Sequence, residues 1–409
     1  MSSALYTDHY ELTMLDAALC AGVEDRPVVF EVFARALPPG RRYGVFAGLG
    51  RLLDALERFR FGTEELEWLA GRRFLSERAL EWLGDYRFGG DVHAYSEGEL
   101  YTGGSPVLAV SGGFGEAVLL ETMVLSILNY DSAVAAAASL ICTAAGGRPV
   151  IEMGSRRTDP EAAVAAARAA YVGGLASTSN LEAGRRYGIP TAGTSAHSFT
   201  LLFPDERSAF RAQLAAMGPG TTLLVDTFDT EEGIRTAVEA AGPELGAVRI
   251  DSGDLAAEAV RARALLDGLG AANTRVIATG DLDETSIRLL SASPVDAYGA
   301  GTSVVTGSGY PTSGFVYKLV EVDGRSVEKR SPGKETIGGR KLAWRVPERG
   351  LDVVAGTPED APDRSRPLQS AVVSGGVRAD RGNVEAARSL HAQACRELGP
   401  DRSLRLERR

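Results

Sequence analysis

The chain has 409 residues, 44% of them hydrophobic and 24% charged, so it can bury a large core in two or three domains. Its formal net charge of -10 argues against a general nucleic-acid-binding surface, because binding a polyanion requires clustered cations. The three cysteines, Cys20, Cys142 and Cys395, are too widely spaced for a zinc cluster and too few for a disulfide framework, which favours a reducing cytoplasm.

The first 125 residues predict an α/β domain. Residues 26–38 and 88–112 have the composition of strands, and residues 48–60 and 74–86 have the apolar spacing of helices. The start of the chain lacks the apolar core of a signal peptide. The most apolar run, Ala133–Ala145, predicts a buried helix too short to cross a bilayer, and we expect no membrane association.

From Arg148 onward, short β-branched runs alternate with alanine-rich helical stretches. The runs occupy residues 148–153, 171–178, 189–194, 221–227, 246–251, 274–280, 295–301 and 314–320. This rhythm predicts parallel strands joined by right-handed crossovers. Seven or eight such units favour a closed α/β barrel, which we predict over residues 126–322. An open doubly wound sheet stays the alternative.

The C-terminal segment, residues 323–409, returns to strand-like and turn-rich sequence and contains one predicted helix over residues 383–398. We expect this segment to pack on the N-terminal domain, so that a second α/β domain is built from both chain termini. Residues 400–409 predict a solvated, partly disordered end.

Polar side chains and glycines follow most of the barrel strands. In parallel α/β architectures the carboxyl ends of the strands form the active site. For any single loop, these residues are explained by helix capping and turn formation. Capping does not require the cations that also lie there, which are Arg156, Arg157, His197 and Arg249. Taken together, the loops therefore indicate a site for an anionic ligand.

Six aspartates lie at or just past the strand ends: Asp226, Asp229, Asp251, Asp254, Asp281 and Asp283. Such hard oxygen ligands suit a Mg²⁺ ion that substrate phosphates also hold, whereas helix capping would explain about half of them. The glycine-rich turns at 278–284 and 299–309 offer backbone N–H groups to a phosphate, but neither matches a nucleotide-binding fingerprint.

Arg249 is the penultimate residue of a predicted barrel strand. A guanidinium there is costly to bury without an anionic partner. The partner is either Asp251, two residues further along the same face, or a carboxylate or phosphate of a substrate. The residues thus predict a barrel enzyme that binds an anionic, phosphorylated substrate with magnesium, with a histidine in reach; they do not define the reaction.

Eight segments in order, between residue 5 and about residue 345, resemble nicotinate phosphoribosyltransferase. They are YTDHYELTM, FEVFARALPPGRRYGVFAGL, EMGSRR, GTSAHSF, LLVDTFDT, RIDSGDL, GAGTS and SPGKETIGGRKLAWR. The resemblance implies a dimer of subunits with an irregular α/β barrel and a second domain built from both termini. It also implies that nicotinate and 5-phosphoribosyl-1-pyrophosphate are converted into nicotinate mononucleotide and pyrophosphate, with Mg²⁺ and usually with ATP hydrolysis.

The resemblance also implies roles for single residues. His197 looks like the histidine that ATP phosphorylates; Thr194 and Arg249 resemble nicotinate-binding positions. Tyr10 resembles a tyrosine that reaches the pyridine ring in the partner subunit's site. Asp226 and Asp251 would orient the metal, either directly or through bound water. The expected contacts of phosphoribosyl pyrophosphate are Arg156, Arg157, Ser198, Asp251, Gly280, Asp281, Gly299, Gly301 and Thr302.

One departure and several alternatives accompany this resemblance. The family segment Lys-x-Thr-x-Pro-Gly reads KETIGG here, with Gly338 in place of proline. This replacement predicts a loosened, less rigid turn. A nicotinamide phosphoribosyltransferase shares the fold, but its strand reads Arg-Pro-Asp-Ser-Gly-Asn instead of RIDSGD. Quinolinate enzymes are much shorter, and an aldolase would need a lysine in the strand-end loops before Lys318. A catalytically silent ligand-binding relative would have lost some of Tyr10, His197, Arg249 and Thr302.

Overall fold

The computed structural model describes residues 2–330, 337–379, 382–400 and 402–409. The chain divides into two compact units, one formed by residues 1–133 and 310–409 and the other by residues 134–309. The two units divide after Ala133 and after Gly309. The predicted domain limits, after residues 125 and 322, stay a prediction. The Lys-Glu-Thr part of the KETIGG segment lies outside the described residues.

The described residues contain nineteen strands, numbered in chain order. They are β1 Pro27–Ala34, β2 Gly44–Val45, β3 Asp91–Tyr95, β4 Leu100–Tyr101, β5 Leu108–Gly113, β6 Val150–Glu152, β7 Ser177–Thr178, β8 Thr222–Leu224, β9 Ala247–Ile250, β10 Arg275–Ala278, β11 Ala297–Ala300, β12 Phe315–Val322, β13 Arg325–Ser326, β14 Leu342–Val346, β15 Leu351–Ala355, β16 Arg366–Pro367, β17 Gln369–Ser374, β18 Val377–Arg378 and β19 Arg405–Arg408.

Fifteen α-helices, numbered in the same way, occur in the described part of the chain. They are α1 His9–Ala21, α2 Leu49–Glu57, α3 Thr63–Arg72, α4 Glu77–Asp85, α5 Phe114–Val118, α6 Glu121–Ala145, α7 Pro160–Val172, α8 Leu181–Tyr187, α9 His197–Thr200, α10 Glu206–Met217, α11 Thr230–Ala241, α12 Leu255–Gly268, α13 Glu284–Leu290, α14 Thr302–Val305 and α15 Val384–Leu398. Three short 3₁₀ helices span Ala4–Tyr6, Pro347–Arg349 and Pro358–Asp360.

The first unit contains a seven-stranded sheet in the order β13-β12-β1-β5-β3-β17-β18, in which every neighbouring pair is antiparallel. Three strands of the N-terminal segment, β1, β5 and β3, form its centre, and strands of the C-terminal segment flank them, with β12 beside β1 and β17 beside β3. Buried apolar side chains from both segments, such as Phe30, Leu108, Tyr317 and Val373, belong to one core. The prediction of a second α/β domain built from both termini is confirmed.

Two predictions about this unit were wrong. The run at 314–320 was expected in the barrel, but β12 pairs antiparallel with β1 in the seven-stranded sheet. The end of the chain was expected to be solvated and partly disordered; three of the four residues of β19 are exposed, but the strand is ordered by parallel pairing with β15 at the edge of the sheet β16-β14-β15-β19. Near the predicted loosened turn, Gly338 packs so closely that a Cβ atom there would lie 2.7 Å from the carbonyl oxygen of Val327.

The second unit contains a six-stranded sheet in the order β7-β6-β11-β10-β9-β8, and all of its strand pairs are parallel. A parallel bridge between Thr178 and Thr191 extends it beyond β7. The order is that of a barrel in which β11 meets β6, with no strand pair between Thr191 and β8 in the described part of the chain. The predicted irregular α/β barrel is confirmed, although the strand expected at 189–194 is reduced to this one bridge.

The most apolar helix is longer than predicted. Helix α6 begins at Glu121, not at Ala133, and runs to Ala145. The stretch Phe114–Ala145 is long and apolar enough to cross a membrane by length and composition, but 67% of its most apolar window is buried within the protein. The core helix of a soluble protein passes the same test, so this stretch is weak evidence for a membrane span.

A buried histidine in α15 makes the stability of the protein depend on pH. His391 is 4% exposed, and burial lowers its pKa to about 4, although Glu99 acts in the opposite direction. Because the folded state disfavours the charged imidazole, the full stability is present above the unfolded pKa of about 6.5 and is lost as the pH falls towards the folded pKa.

We expect wild type to lose about 2 kcal/mol more unfolding free energy than His391→Gln between pH 7 and pH 5. Urea unfolding of both proteins at the two pH values measures this difference, and carboxylates that titrate in both proteins cancel from it. Equal losses in the two proteins would contradict a depressed pKa at His391.

Candidate functional site

The carboxyl ends of the parallel strands in the second unit carry most of the predicted site residues. Asp226 follows β8, Arg249 lies in β9 and Asp251 follows it, and Gly280 follows β10. Because β8, β9 and β10 are adjacent and parallel, these side chains lie along one edge of the sheet. Hydrogen bonds between neighbouring loops hold that edge together.

Asp226 joins the loops after β8 and β9. Its side chain is 2% exposed, and its Oδ2 atom accepts hydrogen bonds from the backbone N of Asp251 at 2.8 Å and from Ser252 Oγ at 2.7 Å. Its Oδ1 atom is buried and accepts no hydrogen bond from a described residue. A carboxylate held in this way has one oxygen left for an additional donor or a cation.

His197 supplies the group that faces this free oxygen. It is the first residue of α9, and its Nε2 atom lies 4.0 Å from Asp226 Oδ1, while its Nδ1 atom lies 3.1 Å from Thr227 Oγ1. Its side chain is 39% exposed. Both ring nitrogens are therefore oriented by residues of the loop after β8, and the imidazole is still accessible to a ligand.

Arg249 is largely withdrawn from water, with a side chain that is 15% exposed. Its Nη1 atom donates to Thr194 Oγ1 at 3.0 Å and to the carbonyl oxygen of Ser195 at 3.2 Å. Its Nη2 atom lies 3.6 Å from Asp251 Oδ1, so the predicted internal partner is close. However, its Nε atom is buried and donates to no described residue, which leaves part of the guanidinium free to bind an anion.

Asp251 and the turn after β10 form a close backbone contact. Thr279 Oγ1 donates to Asp251 Oδ1. Gly280 adopts a φ of +108°, and a Cβ atom there would lie 2.4 Å from the carbonyl oxygen of Asp251. Only glycine fits this position, and the following Asp281 also has a positive φ of 45°. The turn is therefore shaped by the approach of two loops.

The six predicted aspartates divide into two groups. Asp229, Asp254 and Asp283 accept hydrogen bonds from backbone N–H groups at the starts of α11, α12 and α13, so helix capping explains half of the set, as expected. The other three cap no helix: Asp226 and Asp251 contact site residues, and Asp281 lies in the turn after β10.

The predicted phosphate contacts lie on the loops after β6 and β11 and in α9. Arg156, Arg157, Ser198 and Thr302 are exposed, and no side-chain hydrogen bond or ion pair joins them to other described residues. Gly299 lies in β11, and Gly301 precedes α14. These groups are available to a ligand, but their roles stay predictions.

Tyr10 lies in the first unit, unlike the other predicted residues. It is on α1 and is 43% exposed. Burial of its hydroxyl group raises its pKa, and the charge of Glu121 and a hydrogen bond to that carboxylate raise it further. The phenol therefore stays protonated at neutral pH and can donate a hydrogen bond.

Sequence reasoning missed several polar residues of the second unit. Thr227 and Ser252 lie within the quoted motifs and Thr279 lies in the glycine-rich turn 278–284; they orient His197, Asp226 and Asp251, respectively. Two buried carboxylates were also missed. Glu152 ends β6 and is 1% exposed.

The second missed carboxylate, Glu206, begins α10. Burial raises its pKa to about 7, and the nearby charges of Asp226 and Asp229 add to the shift. A glutamate within EMGSRR at a strand end was a usable signal for Glu152, whereas Glu206 looks like an ordinary first-turn residue of a helix.

The described residues contain no group of three or more His, Cys, Asp or Glu side chains that could hold a metal ion. The free Oδ1 atom of Asp226 and the carboxylate of Asp251 are hard oxygen ligands, which Mg²⁺ prefers. These two residues fit a magnesium ion only if substrate phosphates and water complete its coordination.

The sequence matches the N-terminal domain of nicotinate phosphoribosyltransferase (NAPRTase) over residues 5–129. It is 55% identical to a nicotinate phosphoribosyltransferase of Mycobacterium tuberculosis over 98% of this chain and 92% of that protein. It is 37% identical to the nicotinate phosphoribosyltransferase of Bacillus subtilis, with 84% and 73% of the two chains covered.

The fold is similar to that of human nicotinic acid phosphoribosyltransferase, with a TM-score of 0.82, 26% identity, and coverage of 97% of this chain and 94% of that one. Coverage of 97–98% of this chain means that the similarity extends over both units. The chain belongs to the nicotinate phosphoribosyltransferase family.

Proposed function

We propose that the protein joins nicotinate to 5-phosphoribosyl-1-pyrophosphate, with ATP hydrolysis, and releases nicotinate mononucleotide and pyrophosphate in NAD salvage. The observation that supports this most directly is the partly unsatisfied guanidinium of Arg249, held by Thr194 and Ser195 beside Asp226 and His197. A planar aromatic carboxylate is the kind of substrate that such a group recognises with a charge-assisted hydrogen bond.

The chain's residues would act mainly by positioning. Arg249 and Thr194 bind the nicotinate carboxylate, which directs the ring nitrogen at the anomeric carbon of the ribose. The exposed Arg156, Arg157 and the turn at Thr302 bind the phosphates. As pyrophosphate leaves, positive charge develops on the sugar, and fixed dipoles and charges around it lower the barrier.

Magnesium, held by Asp226 and Asp251 together with the substrate phosphates, would neutralise charge on the leaving pyrophosphate. His197 accepts a phosphoryl group from ATP, and the phosphorylated protein binds phosphoribosyl pyrophosphate more tightly. The accessible imidazole, whose two nitrogens are oriented by Thr227 and Asp226, supports this role.

The test is the formation of nicotinate mononucleotide by the purified protein, with nicotinamide and quinolinate as competing acceptors. We expect turnover with nicotinate alone, because Arg249 pairs with a single carboxylate, which nicotinamide lacks. Preferential use of nicotinamide would identify the protein as the related amide-specific enzyme. Binding of the substrates without turnover would identify a silent relative.

A shared active site in a homodimer is part of the proposal. Tyr10 is exposed on α1, although its hydroxyl is held by Glu121, so its ring is available to a neighbouring subunit. In the part of the chain that the structure describes, Cys20, Cys142 and Cys395 form no disulfide bond, which is consistent with a reducing cytoplasm.

We expect Tyr10→Ala and His197→Ala chains, each lacking ATP-coupled synthesis of nicotinate mononucleotide, to regain it when mixed and allowed to exchange subunits. If Tyr10 completes the partner's site, one of the two sites in each heterodimer is intact, so up to about a quarter of wild-type activity returns in a fully exchanged mixture. Differently tagged chains allow the heterodimer to be isolated and assayed. Inactive heterodimers of confirmed composition would exclude a shared site.

A further inference from the structure

Glu152 is a buried carboxylate at the end of β6 with two neutral hydrogen-bond donors. Its Oε2 atom accepts from Thr178 Oγ1 at 2.5 Å, and its Oε1 atom accepts from the backbone N of Gly154. Burial raises the pKa of Glu152, and these two hydrogen bonds lower it. A buried carboxylate is costly, so this position is better explained by what its two oxygens hold in place than by packing alone.

The first oxygen begins a chain of hydrogen bonds that leads to the loop after β6. Thr178 Oγ1, which donates to Glu152, also accepts from the backbone N of Asn180 at 3.0 Å. Asn180 Nδ2 then donates to Ser155 Oγ at 3.0 Å. The end of β7 is thereby tied to the residue that precedes Arg156 and Arg157.

The second oxygen fixes the backbone where this loop touches the turn after β11. A Cβ atom on Gly154 would lie 3.0 Å from the carbonyl oxygen of Gly301 and 2.8 Å from Glu152 Oε1. The backbone N of Met153 also donates to the carbonyl oxygen of Ala300 at 2.8 Å. The backbone of Gly154 therefore lies directly against the turn after β11, and a shift of Gly154 would disturb that contact.

We propose that Glu152 is a positioning residue that holds the loop Gly154–Arg157 and the turn Gly301–Thr302 in the arrangement that binds phosphoribosyl pyrophosphate. The inference rests on the proposed function, in which these two segments contact the phosphates of that substrate. Glu152 acts through hydrogen bonds to Thr178 and Gly154 and makes no contact with substrate.

The proposal is tested by two variants of nearly equal size. Glu152→Leu keeps the volume and removes both acceptors, whereas Glu152→Gln keeps an acceptor for Gly154 and a polar group next to Thr178, whose hydroxyl can reverse its hydrogen bond. We expect Glu152→Leu to raise the KM for phosphoribosyl pyrophosphate by about tenfold or more. The KM for nicotinate should change by less than about threefold, and Glu152→Gln should stay within about threefold of wild type for both substrates.

The matched control is Glu182→Gln, which alters an exposed glutamate of α8 that pairs with Arg185 and Arg186 and should leave both KM values unchanged. If Glu152→Leu does not fold, Thr178→Val removes one of the two hydrogen bonds and should raise the same KM by a smaller factor.

Two results would overturn the inference. One is an equal change in both KM values accompanied by a lower melting temperature, which is the pattern of a purely structural residue. The other is an unchanged KM for phosphoribosyl pyrophosphate in the folded variants. Failure of the proposed function is distinguishable, because the wild-type protein would then form no nicotinate mononucleotide at all.

Discussion

His197→Ala is expected to abolish ATP turnover while leaving a slow, ATP-independent synthesis of nicotinate mononucleotide. The imidazole is the proposed phosphoryl acceptor, and removal of the nucleophile in a covalent mechanism lowers the rate by about a thousandfold or more. Residual synthesis is expected because, in the proposed mechanism, the histidine couples ATP energy to substrate binding and does not attack the anomeric carbon. Labelled ATP with Mg²⁺ should leave acid-labile phosphate on wild type and none on the variant.

The control for this experiment is His93→Gln, which alters a half-buried histidine of β3 in the first unit. That variant should incorporate as much acid-labile phosphate as wild type does. If the His197→Ala variant turned over ATP normally, or if wild type carried no acid-labile phosphate, the assignment of His197 would be wrong.

Arg249→Ala is expected to weaken nicotinate binding far more than the binding of phosphoribosyl pyrophosphate. The lost charge-assisted hydrogen bond is worth about 1.5–3 kcal/mol, so the KM for nicotinate should rise by about 10- to 150-fold. The KM for phosphoribosyl pyrophosphate should change by less than about threefold. Steady-state kinetics with each substrate varied in turn measure both values.

The nearby Asp251 provides an alternative explanation, because Arg249 Nη2 lies 3.6 Å from its carboxylate. If Arg249 were mainly a structural ion-pair partner, its removal would raise both KM values by similar factors. Arg249→Lys separates the two cases further, because lysine keeps the charge but loses the planar set of donors. A lysine variant that binds nicotinate as well as wild type would show that charge alone is recognised.

Much of the fold could be predicted from periodicity alone. The alternation of β-branched runs with alanine-rich helices between Arg148 and Ala300 identified the parallel sheet, because most positions of strands β8 to β11 are buried and apolar. The helices at Leu49–Glu57, Glu77–Asp85 and Val384–Leu398 were also predicted within a few residues of their ends.

The errors in the fold concern partners that a local pattern does not specify. The apolar run of β12 is as suitable for a parallel barrel as for the antiparallel sheet in which it lies beside β1. The charged side chains of β19 are exposed, as the sequence indicates. Strand pairing uses backbone groups, so an edge strand can carry such side chains. The predicted strand at 189–194 is reduced to a bridge at Thr191, because its glycine and small polar side chains bury little apolar surface.

For the site, sequence order located the loops but not the contacts between them. Asp226 and Asp229 are three residues apart in the same loop, and only the structure shows that one joins two loops while the other caps a helix. Glu152 was within a quoted motif, but its importance depends on Thr178, a residue of the neighbouring strand. Contacts of this kind depend on strand order, which the sequence of one chain does not contain.

The placement of the N-terminal strands between C-terminal strands in the seven-stranded sheet has a consequence for synthesis on the ribosome. Strands β1, β5 and β3 are complete once residue 113 has been made, but the strands that cover their two edges, β12 and β17, begin only at residues 315 and 369. At a translation rate of about 5–20 residues per second, both edges stay unpaired for roughly 10–50 seconds. Unpaired edges are templates for aggregation, so the nascent N-terminal segment is the part of this protein with the greatest need of chaperone protection.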